Sequence, residues 1–569
     1  MARVTASRQD DSATHRRHFG VWPPEVPRGL TLPETSVWVN LEISARRYPG
    51  KPAFICYGNA LTFAQMKAEA EKLAGFLQQR CGVAKGDRVL LLAQNSLPFV
   101  IAYYAILRAD AVVVPLNPMN LTEELRRLAK DCGAATAIVA QELWPQAAPL
   151  AADGTIAHAI VAAYSDYLEE PTDLKMSDAF KLPRQPIAGS NVTLWSDAIA
   201  ESLGPSEHTA RPDDLACMPY TSGTTGEPKG CMHTHRSMMH NIVGGNEWFR
   251  TVPELVYLAV LPFFHVTGMQ GSMNGPIYMG STVVLLPRWD RDAAGVLIKR
   301  YGVKAWTVIP TMVVDLLAGP GAASLDLSSL ERMTGGGAAM PEAIATKLKE
   351  TCGVTFVEGY GLTETMAPSH INPPDRAKKQ CLGIPIFDTE AMVVDPATLE
   401  DLPPGEVGEI VCSGPQVFLG YWNKPKATAE AFFERDGRKF FRTGDLGRVD
   451  EEGYFFLVDR LKRMINAAGM KVWPAEVEAL LYGHPDIHEA CIIAAKDPRR
   501  GETVKAVVVA KADRRGHVTG EEIIAWARGK MAAYKVPAIV EFVESLPKSA
   551  TGKVQWRVLQ ERENARTAA

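Results

Sequence analysis

The sequence has no cysteine framework. Its nine cysteines stand singly from Cys56 to Cys491 with no Cys-x-x-Cys pair. That spacing argues against a zinc knuckle or a disulfide scaffold and suits free thiols in a reducing cytosol. Long apolar runs are missing too. The nearest, Leu97 to Leu116, is broken by Pro98, Arg108 and Asp110, so no membrane helix is expected. Charge of one sign is scarce: a net −4 over 569 residues gives no electrostatic reason to bind nucleic acid. The dinucleotide fingerprint Gly-x-Gly-x-x-Gly is left incomplete at Gly335 and at Gly359, because Met340 and Glu364 occupy its last position.

What remains is a globular composition, 46% hydrophobic and 22% charged, in a chain too long for one ordinary domain. Residues 1–36 carry Arg3, Arg8, Arg16 and Arg17 against Asp10 and Asp11 with no apolar core after them, and are expected to be a disordered lead-in. From Val37, short apolar runs such as Val89 to Leu92 and Val112 to Pro115 alternate with amphipathic stretches such as Phe63 to Gln79. This alternation predicts an α/β fold with parallel-rich sheets packed by helices. Residues 145–208 are less regular and read as an insertion of loops and short helices. Beyond Cys381, closely spaced short strands predict a β-rich subdomain, and the last hundred or so residues predict a small α+β domain. The charged step Asp459-Arg-Leu-Lys-Arg463 is a candidate boundary, giving an N-terminal domain over 37–459 and a C-terminal domain over 460–569.

The chemistry gathers first in Tyr220-Thr-Ser-Gly-Thr-Thr-Gly-Glu-Pro-Lys-Gly230, which holds three glycines, four Ser/Thr hydroxyls and one lysine. Glycines let the backbone approach a ligand, and consecutive N–H groups make an anion nest. Thr221, Ser222, Gly223, Thr224, Thr225, Gly226 and Lys229 therefore suit a polyphosphate, although composition alone also fits a flexible linker. The loop cannot be aligned to Gly-x4-Gly-Lys-Ser/Thr. His233 and His235 flank one residue like a metal pair, but no third ligand candidate lies nearby, and structural histidines are expected. His265 stands at the C-terminal end of a strand before Gly268, where open sheets bind ligands. Taken alone it also fits a core histidine.

In order and wording these segments resemble the adenylate-forming superfamily of acyl-CoA synthetases, luciferases and peptide-synthetase adenylation domains. The resemblance runs from about Val37 to about Val558 and is closest to fatty acyl-CoA ligases in Glu358-Gly-Tyr-Gly-Leu-Thr-Glu364. It implies that Gly359, Tyr360, Gly361, Leu362 and Thr363 form the adenine turn, with Gly337 and Ala338 beside it. Glu364 and Thr224 would hold Mg²⁺. Arg442-Thr-Gly-Asp445 is similar to the signature whose aspartate binds ribose. Arg460 would contact ribose or phosphate, and Lys462 would be the hinge of a mobile C-terminal lid. Gly469, Met470 and Lys471 would line the coenzyme A tunnel. Pro547-Lys-Ser-Ala-Thr-Gly-Lys553 matches the motif ending in the catalytic lysine, so Lys553, Glu364, Thr221 and His265 are the implied catalytic set. Two departures are Trp473, where tyrosine is common, and Asp388, where glycine is frequent.

An acyl pocket is expected from His265, Val266, Thr267, Met269, Trp306, Thr311, Gly335, Gly359 and Met366, mostly apolar and without an acid to pair a substrate amine. The implied reaction joins a medium- or long-chain fatty acid to coenzyme A with ATP and Mg²⁺, through acyl-AMP. Alternatives are an aryl- or methylthioalkanoate-CoA ligase, an acyl-AMP ligase feeding a carrier protein, and a non-catalytic nucleotide-binding protein. The expected setting is cytoplasmic, with peripheral membrane contact and a homodimer left open.

Overall fold

A computed structural model describes residues 14–222, 227–318, 325–337, 340–467, 470–497, 501–549 and 554–566. The chain divides into two compact units, Met1–Glu390 with Cys412–Phe441, and Ala391–Val411 with Arg442–Ala569.

The first unit is built on two parallel-rich sheets. In the nine-stranded sheet the central order is Phe356–Tyr360, Arg332–Gly335, Ala305–Val308, Val256–Ala259, Thr282–Leu285 and Pro52–Cys56, all mutually parallel. The seven-stranded sheet runs His233–Thr234, Leu215–Cys217, Val112–Pro115, Arg88–Leu92, Thr136–Ala140, His158–Ala162 and Val192–Leu194. Strand alternation sends side chains to two faces. Val89 and Leu91 join Phe54, Tyr257 and Val283 in a core shared by both sheets, while Leu90 and Leu92 face the outer helices Thr122–Cys132 and Trp144–Ala152. Leu258, Trp306 and Val308 pack outward under Arg291–Tyr301. The layers are thus helix, sheet, helix, sheet, helix. The apolar run flagged in the sequence is the helix Leu97–Arg108, capped by Ser96 and buried from Leu97 to Leu107 between the sheets. Among the described residues no helix is long and apolar enough to cross a membrane.

Two expectations are corrected. Residues 145–208 are not only loops and short helices, because His158–Ala162 and Val192–Leu194 extend the second sheet in parallel. The lead-in forms a helical turn, Thr14–Gly20, and buries His18, Val21, Trp22 and Val26. Trp22 is buried with its ring edge-on to Trp248 and Phe387, at 4.9 and 5.4 Å between centroids. Asp388 accepts a hydrogen bond from the Leu30 N–H at 3.1 Å, and its φ of 50° is the left-handed conformation that glycine adopts freely. The departure at Asp388 therefore anchors the lead-in.

In the second unit, Gly501–Ala510 is the central strand of a five-stranded sheet, antiparallel to Ile487–Asp497 and Ile465–Ala467 and parallel to Ile539–Phe542. Pro474–Leu481, Gly520–Arg528 and Trp556–Arg566 are its helices. This unit begins before Arg460, taking in residues 391–411 and 442–459.

Candidate functional site

The loop that opened the functional reading is the tip of a hairpin. Tyr220–Ser222 pairs antiparallel with Pro228–Gly230, setting Thr221 opposite Lys229. Gly223, Thr224, Thr225 and Gly226 lie outside the described residues, as does the side chain of Ser222. The hairpin base is tied down on several sides. The Tyr220 hydroxyl donates to Asp131 at 2.6 Å, and the Trp422 N–H donates to the Gly230 carbonyl at 2.8 Å. Cys231 is fully buried beside it.

The glycine cluster sits at the C-terminal ends of neighbouring strands, with Gly335 in register with Glu358. A Cβ on Gly335 would overlap the Val308 carbonyl oxygen, and one on Gly336 would overlap that of Gly359. Backbone packed on backbone thus requires glycine at both positions, whatever Gly335 lines. Gly337 has a φ of 84°, while Ala338 lies outside the described residues. Glu358 braces the turn, accepting N–H bonds from Met340 at 2.7 Å and Cys381 at 2.8 Å. Burial pushes its carboxyl up to about 6, against those bonds.

Tyr360 is buried with its ring edge-on to His370 at 5.7 Å. A Cβ on Gly361 would press on the backbone of Ala367 and Pro368 at 2.8 and 2.9 Å. The following turn, Thr363–Thr365, is held by Asn241, whose amide donates to the carbonyls of Thr365, Met366 and Ala367. Leu362 enters it by donating its N–H to the Thr365 hydroxyl at 2.9 Å. His233 Nε2 donates to the Thr363 carbonyl at 2.8 Å, and His235 Nδ1 accepts from the Val37 N–H at 3.1 Å. Burial lowers these imidazoles to about 4 and about 3, which keeps both neutral. Each histidine thus orders backbone.

Glu364, fixed by this turn, is buried and accepts a hydrogen bond from the Tyr421 hydroxyl at 2.8 Å. The Tyr421 ring lies 4.9 Å from the Lys229 ammonium. Burial and the Glu364 charge both push the phenol pKa up, so it remains a donor. Tyr421 also borders a cavity of about 600 Å³ with Met232, Lys424, Phe432 and Lys439. The Glu364 carboxylate offers oxygen ligands of the kind Mg²⁺ prefers, while Thr224, expected to share the ion, lies outside the described residues. Tyr421 was not foreseen; its only sequence signal is an aromatic after Gly420 in Phe418-Leu-Gly-Tyr-Trp422.

On the acyl side, His265 caps the turn Val266–Met269, its Nδ1 accepting from the Thr267 N–H at 3.3 Å. Thr267 is half-buried and Thr311 exposed, while Val266, Met269 and Met366 are buried members of the shared core. Trp306 is not brought to this face. Strand alternation turns it to the opposite side, stacked on Trp289 at 5.6 Å. Its neighbour Thr307 points the other way, 3.0 Å from where a Cβ on Gly271 would lie and 3.5 Å from the Thr334 hydroxyl. Thr307 and Thr334 were missed, although reading the strand with period two separates Thr307 from Trp306.

In the second unit the antiparallel register sets Asp445 opposite Arg460, with 2.9 Å between carboxylate and guanidinium. Asp445 is 2% exposed, and its N–H donates to Thr443. Arg442 pairs with buried Glu409, which also accepts the Gly444 N–H. Lys462 lies in the turn Leu461–Arg463, its side chain outside the described residues. The flanks of this turn are anchored. Asp459 accepts the Ala475 N–H at 2.7 Å, and Arg463 binds Glu478 and donates to the Ile492 carbonyl. Met470 is exposed on the strand Met470–Val472; Gly469, Lys553 and the Lys471 side chain lie outside the described residues.

Gly335 ends one parallel strand and Glu364 stands in the turn just beyond another, Phe356–Tyr360, which is where open α/β sheets place their ligands. The chain belongs to the AMP-binding enzyme family, which it matches over residues 41–422, with the AMP-binding enzyme C-terminal domain matched over 476–553. It is 36% identical over 550 residues to a long-chain-fatty-acid–CoA ligase of Bacillus subtilis (strain 168), covering 95% of this chain and 97% of that one. A feruloyl-CoA synthase of Amycolatopsis sp is 36% identical over 514 residues, covering 90% and 95%. The solved structure of an anthranilate CoA ligase in complex with anthranoyl-AMP superposes with a TM-score of 0.81 at 27% identity, covering 95% and 99%.

Proposed function

We propose that the chain is an ATP-dependent carboxylate–CoA ligase whose carboxylate is a medium- or long-chain fatty acid. The observation that carries this reading is the meeting of Glu364, Tyr421 and Lys229, which joins a buried carboxylate to the lysine of a phosphate-type hairpin. The fatty-acid relative in Bacillus subtilis supports the substrate class.

In the first step a carboxylate oxygen attacks the α-phosphorus of ATP, and the bond to pyrophosphate breaks. Mg²⁺ held by Glu364 and Thr224 would neutralise phosphate charge. The hairpin N–H groups, Thr221, Ser222, Thr225 and Lys229 cradle the polyphosphate, and Lys553 lies between the two anions as they meet. Tyr360 covers adenine, and Asp445 accepts the ribose hydroxyls beside Arg460. In the second step the coenzyme A thiol loses its proton and attacks the acyl carbon, the bond to AMP breaks, and the loop Gly469–Lys471 guides the pantetheine. The C-terminal domain, 460–569, turns about Lys462 between the steps.

A second reading, an aryl acid, is favoured by the feruloyl-CoA synthase relative and by the hydroxyls of Thr307 and Thr334 on the acyl-side strands. A panel of saturated fatty acids, ferulate and anthranilate, each with ATP and coenzyme A and read as AMP release, decides. Turnover highest on fatty acids of eight or more carbons is the expected result. Turnover confined to the aryl acids replaces the fatty-acid reading. No AMP release with any acid, from protein that binds ATP, removes the ligase reading.

A further inference from the structure

The segment Phe418–Trp422 links the two halves of the nucleotide site through its backbone. Phe418 donates its N–H to the Glu364 carbonyl at 2.8 Å, Cys231 and Tyr421 form an antiparallel bridge, and Trp422 donates to Gly230 at 2.8 Å. The Tyr421 side chain repeats this link, with its hydroxyl 2.8 Å from Glu364 Oε1 and its ring 4.9 Å from Lys229. Phe418 stands edge-on to that ring at 4.8 Å, and the Tyr421 N–H donates to Thr428 at 2.9 Å, so the ring has little freedom to turn.

We propose that Tyr421 is a positioning residue for adenylation: its hydroxyl orients the Glu364 carboxylate and its ring seats the Lys229 ammonium. One side chain then sets the spacing between the metal-holding acid and the phosphate-binding lysine. The chemistry favours a phenol for this role. A neutral donor aims one carboxylate oxygen without cancelling the charge that a cation would meet. An ammonium near the negative face of a ring is held weakly enough to turn toward a phosphate. The proposal rests on the reading of Glu364 as a metal residue given above.

The test uses the full chain with Tyr421→Phe, Tyr421→Leu, Glu364→Ala and the Tyr421→Phe/Glu364→Ala pair. Calorimetry measures ATP binding with and without Mg²⁺, and a second assay follows coenzyme A transfer from supplied acyl-AMP. A hydrogen bond to a charged group is worth about tenfold in binding, so Tyr421→Phe weakens ATP binding in Mg²⁺ by about that factor. Without Mg²⁺ it binds ATP as the parent does, and transfer from acyl-AMP is unchanged. Tyr421→Leu, which also removes the ring, weakens ATP binding in both conditions. In the Glu364→Ala background, Tyr421→Phe causes no further loss, because the hydroxyl acts through the carboxylate. Parental Mg²⁺-dependent binding by Tyr421→Phe, when Glu364→Ala has lost it, overturns the proposal alone. Parental Mg²⁺ dependence in Glu364→Ala overturns the metal-site reading and the proposal together. Equal loss by Tyr421→Phe in binding and transfer marks a scaffold role and also overturns it.

Discussion

The two compact units hold the carboxylates Glu364 and Asp445 by different means. In the first, Glu364 receives a neutral phenol, and the turn that carries it is fixed by amide and imidazole donors from Asn241 and His233. In the second, Asp445 faces a guanidinium across two strands, and the neighbouring Asp459, Arg463 and Glu478 form a second, buried charged cluster. The contrast follows from what each carboxylate is proposed to meet. An acid that holds a divalent cation keeps its charge when a phenol orients it, whereas an acid that accepts ribose hydroxyls needs only a fixed position, which an arginine supplies. At these two carboxylates the second unit uses an ion pair and the first a neutral hydroxyl donor.

Arg463→Ala breaks this contrast most sharply. It leaves Asp459 and Glu478 buried without their cation, which costs about 3–5 kcal/mol. Urea unfolding followed in the second unit measures the loss, and an unchanged transition would show that the cluster is not what stabilises it. Lys553→Ala comes next: losing one electrostatic stabiliser slows adenylation about 100- to 1000-fold. Thioester formation from supplied acyl-AMP is spared, and equal loss in both half-reactions contradicts the role.

Lys462→Pro sharpens the contrast within the second unit. Proline fixes φ and removes an N–H in the turn between two anchored flanks. Adenylation stays near the parental rate, coenzyme A transfer falls far more, and acyl-AMP accumulates in single-turnover chromatography. Unchanged transfer places the pivot elsewhere.

The smallest effect concerns acid. His233 is held neutral by burial, with its pKa lowered from 6.5 to about 4. The unfolded chain thus binds the proton first, so stability is full above pH 6.5 and falls as the pH drops toward 4, by about 1 kcal/mol at pH 5.5 from this residue. His235 and His370, also lowered by burial, act in the same direction. In the second unit burial raises Asp459 and Glu478, so protonation there favours the folded state as pH falls. Glu358 of the first unit acts in that same direction, so the measurement is made on His233 alone: His233→Gln is expected to flatten the acid dependence of unfolding, and a profile unchanged by the substitution would remove this role of its burial.

Much of the site was legible because its parts are contiguous. The hairpin Tyr220–Gly230 announces itself by glycine and hydroxyl content, and Gly359 to Glu364 by a glycine turn ending in an acid. The apolar alternation was enough for the parallel-rich α/β fold. The parts that escaped depend on partners distant in sequence. Tyr421 meets Glu364 57 positions away, and no local pattern marks that encounter. The lead-in looked unstructured by charge, yet Trp22 finds Trp248 and Phe387. Trp306 was read as one of several mostly apolar pocket linings, when its place in a strand decides which face it serves.

By itself the sequence determined the family and the alternation of strands and helices, and it singled out the hairpin Tyr220–Gly230 and the acids Glu364 and Asp445 as candidates, because each is written in a run of adjacent residues. Only the tertiary structure decided that a glycine such as Gly335 answers to the backbone of the next strand, that Thr307 and not Trp306 faces the helix turn holding Gly271, and that one tyrosine touches both the acid and the lysine. Those outcomes depend on strand register and on which distant segments pack together, and a linear order of residues encodes them only through the folded chain.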